Sequence, residues 1–234
     1  MESVGLIMFA NIYKNKKVLV TGHTGFKGTW LTMWLLKLGA NIVGISKDIP
    51  TSPSMFEELK LKDKIEHYQE DIRDLSKMTE IMAYEKPDFL FHLAAQAIVS
   101  TSYTNPMETI TSNVVGTANI LEALRGSNHK CTAIIITSDK SYDNVEQVWG
   151  YKEDDKMGGK DIYSGSKGAA ELIIKSYYHS FFKSNKSNIK LAMGRAGNVI
   201  GGGDWAKDRI VVDCVEAWSR GQSVEIRSPE ATRP

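Results

Sequence analysis

Lys17-Val18-Leu19-Val20-Thr21-Gly22-His23-Thr24-Gly25-Phe26-Lys27-Gly28 is the stretch from which the rest of the chain can be read. Its first five residues are a short β-branched run, led by lysine and closed by glycine, as in a buried strand. Behind the glycines, Trp30, Leu31, Trp34, Leu35 and Leu38 recur at helical spacing, and Gly39 marks the stop. Residues 41–46 (NIVGIS) read as a second strand. The glycines therefore sit at a strand-to-helix turn inside a βαβ unit, the context a dinucleotide fingerprint requires. Gly22 permits the tight turn, Gly25 removes a side chain where backbone meets a pyrophosphate, and Gly28 lets helix and strand pack closely. The helix start offers free N–H groups and its dipole to phosphate. A tight structural turn is the alternative reading.

The end of the second strand should select the cofactor, because an acid there takes the ribose hydroxyls of NAD and basic groups accept the extra phosphate of NADP. Asp48 stands at the right distance from the glycines, with Lys47 beside it. Residues 49–64 read as a polar excursion anchored by Met55 and Phe56. Further strands are expected at 65–69, 89–93, 133–137 and 190–194, with helices at 75–85, 106–125, 163–182 and 209–220. The expected fold is α/β, a doubly wound parallel sheet with helices on both faces. Ligands in such sheets lie at the carboxyl ends of strands. Ser138, Asp139 and Lys140 fall at one such end, and Arg195 to Asn198 at another. The small residues Ala94 and Ala95 follow a third, with Gln96 behind them. His92, alone in an apolar strand, reads as structural.

Tyr163-Ser164-Gly165-Ser166-Lys167 opens the helix that starts from this edge. Tyr163 and Lys167 are four apart and share one helix face. A phenol is a poor base at neutral pH, and an ammonium beside it favours the phenolate. A surface pair on an amphipathic helix is the plain alternative. Convergence with the strand ends makes the pair a candidate catalytic site.

Composition narrows the partners. A net charge of +1 over 234 residues gives no bulk electrostatic case for nucleic acid. No apolar run approaches a membrane span. Residues 1–15 read as a loose leader without the basic start of a signal peptide. Cys131 and Cys214 lack metal-like spacing and read as reduced thiols, so no metal is expected and the cytoplasm is the expected compartment.

Three motifs in order, Thr21-Gly22-x-x-Gly25-x-x-Gly28, His92-Leu93-Ala94-Ala95 and Tyr163-x-x-x-Lys167, resemble the extended short-chain dehydrogenase/reductase superfamily. Thr137-Ser138-Asp139-Lys140 and residues 195–205 (RAGNVIGGGDW) resemble the CDP-glucose branch of its sugar-nucleotide 4,6-dehydratases. The resemblance implies a Rossmann-type NAD-binding domain over residues 1–195. It also implies an incomplete, smaller substrate domain over 196–234, because family members continue past this point. It implies NAD contacts from Gly22, Thr24, Gly25, Phe26, Lys27, Gly28, Asp48, Asp71, Ile72, Leu93, Ala94, Ala95, Tyr163 and Lys167. Gln96, Arg195 and Asn198 would touch the substrate, with a satisfied interior charge as the other reading of Arg195. The implied activity turns CDP-glucose into CDP-4-dehydro-6-deoxyglucose, and the superfamily habit is a homodimer. Tyr163, Lys167 and Ser138 would serve oxidation at C4. Asp139 as acid and Lys140 as base would serve loss of water across C5–C6. A dehydratase or epimerase for another sugar nucleotide, or an inactive nucleotide-binding remnant, remains open.

Overall fold

The computed structural model describes residues 8–230. Its elements in chain order are β1 (Lys17–Thr21), α1 (Phe26–Lys37), β2 (Asn41–Ile45), α2 (Met55–Glu58), β3 (Glu66–Tyr68), α3 (Leu75–Glu85), β4 (Phe89–His92), α4 (Val99–Thr104), α5 (Pro106–Ile110), α6 (Gly116–Arg125), β5 (Cys131–Ser138), α7 (Ile162–Tyr177), β6 (Ile189–Ala196) and α8 (Ile210–Ser219). The strands pair in parallel in the order β3-β2-β1-β4-β5-β6. The winding reverses between β1 and β4, so a crevice opens at their carboxyl ends.

β1 is the central strand, and its residues point alternately to two cores. Leu19 joins Val43, Met82, Leu90, Ile120 and Leu124 on one face. Val18 and Val20 join Leu35, Ala40 and Ile42 on the other. All three residues of β1 are fully buried, and burial of each such side chain contributes roughly 1.5–3 kcal/mol. The continuous apolar run of the strand follows from this two-sided burial.

Several elements differ from the expectations. Two rings anchor the leader: Phe9 meets Trp34 and Tyr13, and Tyr13 meets Phe89. Residues 1–7 of that expected leader, and 231–234 of the expected partial domain, lie outside the described residues. In α1 the buried face is Gly28, Thr29, Thr32 and Leu35, whereas Trp30 and Trp34 are partly exposed. The tryptophan stripe serves contacts outside the sheet. The excursion after β2 holds α2 and a 3-10 turn at Leu61–Lys64, with Phe56 buried. The long helix expected over 106–125 begins as α5, passes through a π-helical turn at Thr111–Val115 and continues as α6. The helix expected to end at 182 finishes in a π-helical turn at Tyr178–Phe182. α4 was not expected, because its polar sequence lacks an apolar period.

Two buried histidines tie the sheet to its surroundings. The Ala94 N–H donates to Thr21 Oγ1 at 3.1 Å, and that hydroxyl lies 2.7 Å from His92 Nδ1. His92 Nε2 lies 3.1 Å from Thr117 Oγ1, which donates to the Asn113 carbonyl at 2.7 Å. Every polar atom is satisfied when Thr21 donates to Nδ1 and His92 carries its proton on Nε2. A second proton on His92 would set two donors against each other. His23 is equally enclosed, with Nε2 2.8 Å from His67 Nδ1 and Nδ1 3.0 Å from Ser46 Oγ.

Two predictions follow from these contacts. A Cβ on Gly28 would lie 2.0 Å from the Gly22 carbonyl oxygen, whereas nothing lies within 4 Å of one on Gly165 in α7. Gly28→Ala should therefore destabilise by about 3 kcal/mol or more, at the upper end of overpacking costs. Gly165→Ala should stabilise by up to about 1 kcal/mol. Thermal unfolding of both variants checks the contrast. The second prediction concerns pH. Burial lowers His23 to about 4, with His67 adding, and lowers His92 to about 3, with Lys167 adding, both from 6.5. A depressed histidine stabilises fully above the unfolded value and progressively less as pH falls. Urea unfolding should thus weaken between pH 6.5 and 4, by up to ~1.4 kcal/mol per pH unit for each histidine. A flat profile over that window would contradict the neutral, buried pair.

Candidate active site

The glycine turn forms a cradle at the crevice. Gly22 has φ +73°, and a Cβ there would stand 2.7 Å from the Ala94 nitrogen. The backbone of Leu93 and Ala94 therefore packs directly on the turn. Gly25 lies at the start of α1, whose first N–H groups face the crevice with no carbonyl of their own helix to bond. A pyrophosphate fits this bare backbone and helix start. Ser46 and Thr24 line the side toward β2: the Thr24 hydroxyl donates to the Asp48 carbonyl at 2.7 Å. The Asp48 carboxylate is exposed, 3.8 Å from Lys47, which pairs more closely with Glu108 at 2.8 Å. The cation beside Asp48 is thus engaged by a second acid. Asp71, beyond β3, is held by Arg73 through Nε at 2.9 Å and Nη2 at 2.6 Å. Ile72 is buried beneath Gly116.

The first turn of α7 is set from two sides. Asp161 caps it, accepting from the Ser164 N–H at 2.9 Å and the Ser164 hydroxyl at 2.7 Å. Asn113, in the π-helical turn, donates to Ser166 Oγ at 2.9 Å, and Ser166 donates to the Tyr163 carbonyl at 2.7 Å. Tyr163 and Lys167 are each 8% exposed, and the Lys167 ammonium stands 5.8 Å from the Tyr163 ring centre. Burial, with Lys27 adding, lowers Lys167 to about 8. Lys27 is exposed in area yet walled in by its neighbours. That enclosure and Arg209 lower its pKa, against the pull of Asp139 and Asp204. Lys27 of α1, Asp139 of the β5 end and Lys167 of α7 therefore feel one another across the crevice.

Ser138, Asp139 and Lys140 form a tight turn at the end of β5. The Ser138 hydroxyl donates to Asp139 Oδ1 at 2.9 Å and accepts from the Lys140 N–H at 3.3 Å. Asp139 is buried, and Lys140 is half-buried with no ion pair among the described residues. Behind the turn, Glu171 is fully buried. It accepts from Thr137 Oγ1 at 2.7 Å, from Ser141 Oγ at 2.8 Å and from a forked Arg195 at 2.6–3.0 Å. Burial would raise the Glu171 carboxyl; bonds from Arg195, Thr137 and Ser141 outweigh it and hold the group below its ordinary value.

Two of the expected substrate contacts have partners within the chain. The remaining Arg195 nitrogen donates to the Glu153 carbonyl, and its guanidinium lies 4.3 Å over the Tyr142 ring. Arg195 is an interior charge spent on Glu171. The Gln96 amide is also spent: Nε2 donates to the Ile98 carbonyl and to Thr109, and Oε1 accepts from the Ile98 N–H. Asn198 does reach open space. It lines a cavity of about 480 Å³ with Ile200, Gly202, Asp204, Ile210 and Ile226, a volume in the usual range for ligand pockets. Trp30 holds the loop over α1 by donating to the Gly202 carbonyl at 2.9 Å. Sequence reasoning missed Glu171 and the role of Asn113. Glu171 was legible as the next residue on the Tyr163–Lys167 face, four further along; Asn113 as a polar residue inside an apolar helix.

Comparisons with known proteins show the family. The sequence profile of the GDP-mannose 4,6-dehydratase family matches residues 19–191. A CDP-glucose 4,6-dehydratase of Salmonella typhimurium is 48% identical over 96% of this chain and 63% of its own length. A CDP-paratose 2-epimerase of Salmonella typhi is 31% identical over 70% of this chain and 54% of its own length. The chain thus spans between half and two thirds of these relatives. Among solved structures, a UDP-glucuronic acid 4-epimerase of Bacillus cereus, in complex with UDP-glucuronic acid and NAD, superposes with a TM-score of 0.76 at 25% identity, over 89% of this chain and 64% of that one. A UDP-glucose 4-epimerase of Thermotoga maritima shares the fold, with a TM-score of 0.77 at 24% identity, over 90% of this chain and 65% of that one. The glycine cradle, the Tyr163–Lys167 helix and the profile match together place the chain in the GDP-mannose 4,6-dehydratase family of extended short-chain dehydrogenases/reductases.

Proposed function

We propose that this chain carries the reaction centre of a CDP-glucose 4,6-dehydratase, which makes CDP-4-dehydro-6-deoxyglucose. The observation that supports this reading most is the meeting of two sets of groups in one crevice. Tyr163 and Lys167 suit an oxidation, and Asp139 and Lys140 suit an elimination. NAD is the cofactor that fits the glycine cradle, with Thr24, Phe26, Lys27, Leu93 and Ala95 around it and Asp48 and Asp71 on the ribose side. Held there, NAD would supply the hydride chemistry that links C4 and C6 of the sugar. Residues 1–195 would serve that cofactor, and 196–234, with Asn198, the sugar nucleotide.

The roles of the side chains follow from their chemistry. Tyr163, as phenolate, takes the proton of the C4 hydroxyl. The Lys167 ammonium favours that phenolate. The Ser138 hydroxyl holds the C4 oxygen. The ketone at C4 acidifies C5–H, and Lys140, as free amine, removes that proton. Asp139, as acid, protonates the C6 hydroxyl, which leaves as water while the C5–C6 double bond forms. We also propose a homodimer formed through α5, α6 and α7, where Met107 and Leu172 are exposed, as is Phe181 in the π-helical turn after α7. The two free cysteines fit a cytoplasmic setting.

The test separates the halves of the reaction. With CDP-glucose as substrate, Tyr163→Phe should abolish ketone formation. Lys140→Ala should still form the C4 ketone, with reduced cofactor building up on the protein, because elimination slows by roughly a hundred- to ten-thousand-fold. Stopped-flow absorbance with mass analysis of the quenched sugar reads both. If Lys140→Ala dehydrates CDP-glucose at close to the parent rate, the role of Lys140 is wrong. If the parent prefers dTDP- or GDP-sugars, or returns an epimer, the substrate assignment falls.

A further inference from the structure

We propose that Glu171 is a positioning residue for the elimination half of the reaction. Its carboxylate holds the Ser138–Asp139–Lys140 turn in place against the helix face that carries Tyr163 and Lys167. This rests on the dehydratase reading given above.

The geometry is specific. Tyr163, Lys167 and Glu171 are spaced by four residues and share one face of α7. Glu171 Oε1 accepts from Thr137 Oγ1 at 2.7 Å and from Ser141 Oγ at 2.8 Å. Those two donors bracket the three residues of the turn, one immediately before Ser138 and one immediately after Lys140. A single carboxylate thus pins both ends of the segment. Arg195 closes the arrangement, forking onto Glu171 and lying over the Tyr142 ring, the residue after Ser141. The turn therefore takes its position from α7 itself.

The two halves of the reaction depend on this brace unequally. The first turn of α7 has its own supports in Asp161 and Asn113, so Tyr163 and Lys167 stay in place when Glu171 loses its donors. Oxidation draws on the braced turn only through the Ser138 hydroxyl. Elimination draws on both Asp139 and Lys140. A residue with a purely structural role would move both halves together, or neither.

Two variants test this. Thr137→Val/Ser141→Ala removes the two pins while keeping the Glu171–Arg195 pair, which guards the fold. Glu171→Gln keeps the volume and breaks the fork. The first readout is amide hydrogen exchange by mass spectrometry in the protein without sugar. Exchange in 138–142 should rise by about tenfold or more, while 162–170 stays as in the parent. The second readout is single turnover with CDP-glucose. Ketone formation should stay within about threefold of the parent, while elimination slows about a hundredfold, the scale expected for a catalytic group displaced by about 1 Å. Unchanged exchange at 138–142 overturns the proposal, as does a parallel fall of ketone formation and elimination. If the parent forms no ketone from CDP-glucose, the dehydratase reading has failed. The exchange result then decides alone whether Glu171 positions the turn.

Discussion

The closest approach of backbone to backbone at the site is where α1 crosses the end of β1. Gly28 sits so near the Gly22 carbonyl that a methyl group would overlap it, and Gly22 itself is pressed against Ala94. Strand and helix meet there with no side chain between them. The consequence is directional. α1 starts directly over the crevice between β1 and β4, so its N-terminal dipole points where a pyrophosphate would lie. Its first residues fall into useful places. Lys27 comes within electrostatic reach of Asp139 and Lys167. Phe26 lies beneath Gly201, and Trp30 holds the Gly202 carbonyl. The glycine-rich loop after β6 is thus hung on the helix that begins at the cofactor cradle.

Behind this surface the site is built from buried polar groups, each with a partner. The Thr21–His92–Thr117 chain joins β1, β4 and α6. Asn113 joins the Gln96 loop to α7. Glu171 joins β5, β6 and α7. A buried pair of the Glu171–Arg195 kind adds little net stability, because desolvation offsets attraction. Leaving one partner alone costs roughly 3–5 kcal/mol. Such groups fix where elements sit more than how strongly they hold. The apolar cores supply the stability, and the polar bridges set the distances between the Tyr163 helix and the Ser138 turn.

The fold was legible because its signals are local and repeated. Residues 17–28 combine a β-branched run, spaced glycines and a following helix. The same strand–helix alternation runs on to β6. What escaped depends on tertiary contact. The tryptophans of α1 have helical spacing, yet the sheet takes the Gly28–Thr29–Thr32–Leu35 face, because only small residues allow that close approach. The π-helical turn at Thr111–Val115 leaves no mark in a period of 3.6. Among the candidate site residues, Tyr163, Lys167, Ser138 and Asp139 were singled out by their types at strand ends and on a helix start. The partner of Arg195 was not legible because Glu171 is distant in sequence, and a lone cation at a strand end looks the same whether it faces a ligand or an interior acid. The loop contacts of Gln96 were hidden for a similar reason, since its amide turns back on its own loop.

The central proposal is that one crevice serves both oxidation at C4 and elimination across C5–C6, with a single hydrogen carried between the two carbons. The most direct measurement is incubation of the protein with CDP-glucose deuterated at C4, in ordinary water, followed by NMR of the product. The account predicts CDP-4-dehydro-6-deoxyglucose with the deuterium in its C6 methyl group and a solvent proton at C5. Deuterium retained at C4 of an epimer, or lost to water without appearing at C6, would contradict it.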